Sequence, residues 1–158
     1  MSYVLGPGEG TTIEGPAGGP LTFKARGELT NGSLTAIENT IAPGDGPPLH
    51  KHANEDEAFY ILEGQLRFRI DDELHPAPAG SFVFVPRGSA HCFQNVGDKP
   101  ARILVLFTPA GMEGFFDRFA ALTPAEVGPD AFQSAGAPVG MEVLGPPLGA
   151  QALGHAGR

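Results

Sequence analysis

The sequence contains no tryptophan, a single cysteine (Cys92), few basic residues and no long apolar run. One cysteine excludes an internal disulfide. Ten lysines and arginines against 18 acidic residues leave a formal net charge of −8. Binding to nucleic acid needs clustered basic side chains, so that function is not expected. No apolar run approaches the length of a membrane span. The first ten residues, MSYVLGPGEG, lack the charged start and apolar stretch of a signal peptide. We therefore expect a cytoplasmic protein that binds neither nucleic acid nor a membrane.

Glycine and proline, in contrast, are abundant. The chain has 23 glycines and 16 prolines among its 158 residues, and they separate many short apolar runs. Short strands bounded by turn residues are typical of an all-β barrel or sandwich. A chain of this length has room for one domain with a proper core.

The spacing of apolar residues changes after Pro109. Phe115, Phe116, Phe119 and Leu122 recur at the spacing of an amphipathic helix, whereas the residues before Pro109 alternate as in strands. Thr11–Glu14 reads as a short strand or as part of a frayed end. The pattern therefore predicts four segments: an N-terminal arm at 1–20, a barrel at 21–109, a C-terminal helical extension at 110–150 and a disordered tail at 151–158.

Two neighbouring runs, Glu57–Leu62 and Gln65–Ile70, each alternate like a strand. The turn residues Glu63-Gly64 lie between them. The pattern predicts that these two strands form a β-hairpin.

A His-x-His pair, His50 and His52, is the clearest chemical signal in the sequence. Residues two apart on a strand project to the same face, so both imidazoles point into one space. Glu57 begins the next strand, and if that strand folds back beside the first, its carboxylate returns to the two histidines. His91 is distant in the chain and needs a closed fold to reach the same point. Three imidazoles and one carboxylate suit one divalent metal ion, such as Fe, Mn, Ni, Co, Cu or Zn.

Two blocks around these residues resemble the two cupin motifs. Every fixed position of the patterns G-x5-H-x-H-x4-E-x6-G and G-x5-P-x-G-x2-H-x3-N is present at the right interval. The resemblance implies a single jelly-roll β-barrel with a metal at its centre. The matched positions are Gly44, His50, His52, Glu57 and Gly64 in the first block, and Gly80, Pro86, Gly88, His91 and Asn95 in the second.

A looser similarity covers the C-terminal segment, where FFDRF is followed by GMEVLGPPL. Within the cupins it resembles quercetin-dioxygenase-like proteins. This implies a dioxygenase that acts on a small aromatic or enolisable substrate bound at the metal, with Glu57 as general base. Two other functions stay open: a metal-dependent isomerase or epimerase that needs no O2, and a non-catalytic cupin that binds a small molecule.

The resemblance also leads us to expect a homodimer. The Phe-rich segment Phe115–Phe119 can contribute to such an interface or pack on its own barrel, and the sequence does not separate the two.

Side chains on the same faces as the expected ligands define a substrate pocket. Phe59 and Ile61 share the face of Glu57, and Phe93 shares that of His91. An apolar cavity beside a metal suits an aromatic or otherwise apolar substrate. For Ile61, plain barrel core stays open as an alternative. Glu55 is a competing metal ligand by position, although the motif spacing favours Glu57.

Overall fold

The computed structural model describes residues 1–151 of the chain. The tail predicted for residues 151–158 lies, apart from Gln151, outside the described residues. The regular structure within 1–151 is mostly strand: β1 Thr11–Glu14, β2 Pro20–Ala25, β3 Thr35–Ile41, β4 Pro48–His52, β5 Asp56–Glu63, β6 Gln65–Ile70, β7 Glu73–Pro78, β8 Phe82–Val85, β9 His91–Asn95, β10 Ala101–Thr108, α1 Glu113–Ala120, α2 Ala131–Gly136 and β11 Met141–Pro147.

The strands form two antiparallel sheets with the core between them. One sheet has six strands in the order β1-β2-β3-β10-β5-β8, and the other has five in the order β11-β4-β9-β6-β7. Aromatic rings from both sheets meet in the core: Phe59 of β5 lies 5.0 Å from Phe68 of β6 and 5.8 Å from Phe93 of β9, between ring centroids. The predicted all-β jelly-roll barrel is confirmed.

Alternation along each strand decides which side chains reach the interior. In β10, Ala101, Ile103, Val105 and Phe107 are buried, and the residues between them are partly or fully exposed. In β5, the same period buries Glu57 together with Phe59 and Ile61. The alternation that places Phe59 and Ile61 inside the barrel therefore also places the Glu57 carboxylate there.

The predicted hairpin between Glu57–Leu62 and Gln65–Ile70 is wrong. Strand β5 pairs with β10 and β8 in the six-stranded sheet, whereas β6 pairs with β9 and β7 in the five-stranded sheet. Gly64 has a φ of 101° between them, and a Cβ at this position would lie 2.7 Å from the side chain of Ala101. Glycine is needed here because the chain crosses from one sheet to the other in a tight, left-handed turn.

The helix α1 is held to the barrel by polar and aromatic contacts. The Glu113 carboxylate accepts hydrogen bonds from the backbone N–H groups of Gly27 and Gly111 and from the Thr35 hydroxyl, at 2.5–2.7 Å. Phe116 is buried, and its ring meets that of Phe23 with centroids 6.3 Å apart. Of the two alternatives for the Phe-rich segment, the structure thus shows packing on its own barrel.

The two ends of the described chain complete the sheets. Strand β1 pairs with β2 at one edge of the six-stranded sheet, which confirms the strand at Thr11–Glu14. Strand β11 pairs with β4 at the edge of the five-stranded sheet, directly beside the His-x-His pair. Among residues 1–151, no helix is both long enough and apolar enough to cross a membrane.

Candidate metal centre

His50 and His91 lie opposite each other on the neighbouring strands β4 and β9. Both are buried, and their ring centroids are 4.3 Å apart. The Nδ1 atom of His50 lies 2.7 Å from the carbonyl oxygen of Pro48, and Nδ1 of His91 lies 3.0 Å from that of Ser89. A carbonyl oxygen only accepts, so each Nδ1 carries the proton. Nε2 is therefore the atom through which each ring can bind a metal. In His91 it lies 2.9 Å from the Glu57 carboxylate and must give up its proton first.

His52 follows His50 on the same face of β4, as the sequence predicted. Its ring centroid is 4.9 Å from that of His50 and 5.3 Å from that of His91. Its Nε2 lies 3.1 Å from Oε1 of Glu57, without the alignment of a hydrogen bond. The predicted cluster of three imidazoles is therefore present, and all three are buried.

Glu57 reaches the histidines from the facing sheet. The expectation that its strand lies beside that of the His-x-His pair is wrong, because the neighbours of β4 are β11 and β9. Strand β5 belongs to the six-stranded sheet, and its inward alternation sends the Glu57 carboxylate across the barrel. Oε1 of Glu57 lies 2.9 Å from Nε2 of His91. Facing sheets, not adjacent strands, bring these groups together.

Each of these four residues offers one ligand atom, and those atoms all lie within 4.8 Å of one another. We call His50, His52, Glu57 and His91 the four-residue group. Three imidazole nitrogens and one carboxylate oxygen form a donor set that suits a divalent transition metal. The group can therefore hold one metal ion, and its donor types do not select among Fe, Mn, Ni, Co, Cu and Zn.

The charges inside the four-residue group favour a cation. Burial opposes ionisation of Glu57, but the neighbouring rings of His52 and His91 outweigh it and hold its pKa well below the usual range. Burial likewise opposes charging of His91, yet its hydrogen bond to Glu57 and the charge of that carboxylate raise its pKa. Burial and the other two imidazoles lower the pKa of His50 far below its ordinary value. The ionised Glu57 and the neutral His50 are in the state that a metal ion requires, whereas His91 has to release a proton when the metal binds.

A cavity with a volume of about 50 Å³ adjoins the four-residue group. Phe59 and Phe93 line it, as the sequence predicted, whereas Ile61 is fully buried and is not among the lining residues. Asn39 is the only polar residue that lines the cavity outside the four-residue group, among the described residues. The segment after the barrel adds wall residues that the strand pattern of residues 21–109 does not include: Met112, Phe115, Phe116, Phe132 and, on β11, Met141.

Glu55 is buried but lies outside the four-residue group. Only 3% of its surface is exposed, and its carboxylate is not among the ligand atoms that cluster within 4.8 Å. The motif spacing that favoured Glu57 over Glu55 as a ligand therefore agrees with the geometry. The burial of Glu55 itself has no signal in the sequence, since it precedes β5 in a polar turn.

Residues 38–107 match the family model of the cupin domain. The barrel thus has the jelly-roll fold of the cupins, and this segment resembles their domain family. The matched segment contains the whole four-residue group, so the family resemblance and the site geometry rest on the same part of the chain.

Two curated relatives and one solved structure resemble this chain. The tetracenomycin polyketide synthase protein TcmJ of Streptomyces glaucescens is 35% identical over 80 residues, which cover 51% of this chain and 52% of TcmJ. The quercetin 2,3-dioxygenase of Bacillus subtilis is 28% identical over 95 residues, 60% of this chain and 28% of that enzyme. This chain spans about half to two thirds of the length of the first curated relatives that it matches.

The structural relative is a predicted oxalate decarboxylase from Thermotoga maritima. It aligns with a TM-score of 0.59 at 24% identity and covers 68% of this chain and 99% of its own. At this level of identity the likeness shows the shared fold alone.

Proposed function

We propose that this cupin is a metal-dependent dioxygenase that acts on a small aromatic or enolisable substrate. The observation that carries the proposal is the composition of the cavity beside the four-residue group. Its walls are built mainly from apolar and aromatic side chains, and none of the described residues that line it is lysine or arginine. Such a cavity favours an apolar ring over a charged substrate.

Each residue of the four-residue group has a role in this proposal. His50, His52 and His91 would hold the metal through Nε2, and Glu57 would complete the set. A bound redox-capable ion supplies Lewis acidity and access to O2 chemistry. Glu57 is the carboxylate at the metal position, and on partly leaving its coordination it would accept the proton of an enolic hydroxyl as the general base. The buried rings of Phe59 and Phe107 border the group and exclude water from it.

The cavity has to widen before an aromatic substrate binds. About 150 Å³ of apolar space holds a benzene ring, three times the volume seen here. Part of the wall comes from the C-terminal helical extension, where Phe132 belongs to α2 and Phe115 to α1. The Glu113 carboxylate ties α1 to the barrel. We therefore expect α2 to make the larger displacement on substrate binding.

A metal-dependent isomerase or epimerase of sugars or keto acids is less well supported. Phosphate and carboxylate groups are usually recognised by arginine or lysine, which the described cavity wall lacks. The relative named quercetin 2,3-dioxygenase also favours the first proposal. A non-catalytic binding cupin would share the cavity and differ only in the absence of turnover.

A homodimer is a further proposal that rests on the family resemblance. The Phe-rich segment no longer supports it, because Phe115 and Phe116 are buried in their own chain. Sedimentation velocity decides between a monomer of 16.4 kDa and a species of twice that mass.

Oxygen uptake tests the proposed reaction. The protein is loaded in turn with Fe²⁺, Mn²⁺, Ni²⁺ and Co²⁺, and O2 is followed with quercetin or 3-hydroxyflavone as substrate. We expect uptake with at least one ion, and its loss in Glu57→Ala but not in the matched surface variant Glu63→Ala. Undiminished uptake in Glu57→Ala would contradict the role of Glu57. Substrate conversion without O2 uptake would favour the isomerase, and binding without conversion the non-catalytic cupin.

A further inference from the structure

The three histidines of the four-residue group differ in how their second ring nitrogen is held. His50 and His91 each donate Nδ1–H to the backbone carbonyl two residues earlier, at 2.7 and 3.0 Å. Those bonds fix both rings with Nε2 directed to the metal position. His52 breaks the pattern: its Nδ1 is buried and has no hydrogen-bond partner within residues 1–151. A histidine ligand normally donates this N–H to an acceptor that orients the ring.

Glu55 carries an unpaired acceptor in the same region. Its side chain is buried, and Oε1 has no hydrogen-bond partner among the described residues. Asp56, the next residue, is half-buried and instead pairs with Arg87 at 3.2 Å. An ionised or polar group that is buried without a partner costs free energy. We therefore expect the Glu55 carboxylate to have a hydrogen-bond partner when the protein is in its functional state.

The two unpaired groups are chemically complementary. When Nε2 of His52 faces a metal, Nδ1 carries the proton and becomes a donor, and a carboxylate oxygen is its usual acceptor. Only Ala53 and Asn54 separate the two residues, in the turn between β4 and β5. The side chains on both sides of this turn are buried.

The two oxygens of the Glu55 carboxylate have different surroundings. Gly111 lies beside Oε2, where an added Cβ would be 3.4 Å away. Oε1 is the unpaired atom. Direct ligation is not the arrangement seen, because the Glu55 carboxylate is absent from the cluster of ligand atoms.

We propose that Glu55 accepts a hydrogen bond from Nδ1–H of His52 in the metal-loaded protein and is the positioning residue of that ligand. The inference rests on metal binding by the four-residue group, and it holds whichever reaction the metal supports. The Nδ1–H group of every histidine ligand would then have an acceptor: a backbone carbonyl for His50 and His91, and the Glu55 carboxylate for His52.

Metal affinity of Glu55 variants tests the inference without any activity assay. Co²⁺ is titrated into wild type, Glu55→Leu and Glu55→Gln, and its d–d absorption spectrum is recorded for each. Leucine fills a similar volume without an acceptor, whereas the glutamine amide keeps an acceptor oxygen. Glu63→Gln, at the exposed end of β5, is the control for loss of one negative charge.

We expect Glu55→Leu to weaken Co²⁺ affinity by about 10- to 100-fold, with Glu55→Gln in between and Glu63→Gln unchanged. The absorption spectrum should keep the shape of wild type, because the four ligands are the same. In ¹⁵N-histidine-labelled protein loaded with Zn²⁺, the Nδ1–H proton of His52 should be protected from exchange in wild type and lost in Glu55→Leu.

Two results would overturn the inference. Affinities of both Glu55 variants within twofold of wild type would show that Glu55 does not act through His52. A changed spectrum in Glu55→Leu would show that Glu55 is itself a ligand. Failure of the metal site as a whole is a separate result, because wild type would then bind no Co²⁺.

Discussion

Glu57 and His91 come from opposite sheets of the barrel, and Oε1 of the first lies 2.9 Å from Nε2 of the second. The carboxylate belongs to β5 of the six-stranded sheet, and the imidazole belongs to β9 of the five-stranded sheet. A metal bound by the four-residue group would therefore connect the two sheets at a buried point.

Metal binding should stabilise the folded protein because the ligands are brought together only in the fold. At a free metal concentration 100 times Kd, the added stability is about 2.7 kcal/mol. We expect the melting temperature to rise with added Co²⁺ and to fall when a chelator removes it. The same titration on His52→Ala serves as control. Equal melting temperatures with and without metal in wild type would contradict a metal-connected barrel.

Metal affinity should fall as the pH is lowered. Histidine binds a metal only when neutral, and Glu57 raises the pKa of His91 above its ordinary value. His91 is therefore where a proton competes most strongly with the metal, while the low pKa of His50 keeps that ring neutral. We expect Co²⁺ affinity at pH 5.5 to be at least about tenfold weaker than at pH 7.5. Calorimetric titration that gives equal affinities at both pH values would contradict a three-histidine site.

Local periodicity predicted the strands and the inward side chains, but it could not predict which strands are neighbours. The alternation in Glu57–Leu62 correctly buries Glu57 and Phe59, because period-two burial is a property of the strand itself. The pairing of β5 with β10, over 40 residues further on, depends on the whole barrel. Glu63-Gly64 therefore looked like a hairpin turn, although it connects two sheets.

The candidate site likewise has a part that the sequence predicted and a part that it could not predict. The four-residue group follows from motif spacing, since the cupin pattern already encodes the three-dimensional arrangement. The wall formed by Phe116 and Phe132 could not be predicted, because the amphipathic pattern gives a helix and an apolar face but not the surface that the face covers. Burial of Glu55 depends on the fold of the turn before β5, for which the sequence gives no signal.

Two buried asparagines should respond oppositely to the same substitution. Asn95 donates to the carbonyls of Ile41 and Lys99 at 3.0 and 2.8 Å and accepts from the Gly97 N–H at 2.9 Å. Asn39 is buried in the cavity wall, and its Oδ1 has no partner among the described residues. We expect Asn95→Leu to lower the free energy of unfolding by at least about 2 kcal/mol, because it leaves buried backbone groups unpaired.

Asn39→Leu, in contrast, should leave the free energy of unfolding unchanged or raise it, because it removes an amide oxygen that is buried without a partner among the described residues. Urea denaturation of both variants beside wild type measures the difference. A loss in Asn39→Leu as large as that in Asn95→Leu would show that Asn39 has a structural partner.

Glu113 should contribute stability that depends on pH. Burial favours its neutral form, but hydrogen bonds from the Thr35 hydroxyl and the N–H groups of Gly27 and Gly111 outweigh burial and hold its pKa below the usual range. A carboxyl whose pKa is lower in the folded state stabilises the fold above the unfolded pKa, about 4.3, and loses that contribution as the pH falls through the folded pKa.

We therefore expect Glu113→Gln to lower the free energy of unfolding by about 1–2 kcal/mol at pH 7, and by much less near pH 3. Glu14→Gln, at an exposed position on β1, is the control and should match wild type. A loss that is equal at both pH values would show that the anchoring of α1 does not depend on the charge of Glu113.

Metal content tests the central claim most directly. Untagged wild type and His52→Ala are purified in parallel, incubated with a divalent ion, freed of excess by gel filtration and measured by elemental analysis. The four-residue group predicts about one equivalent of metal in wild type and loss of that metal in His52→Ala. Equal metal content in both proteins, or no retained metal in wild type, would contradict a metal centre built from His50, His52, Glu57 and His91.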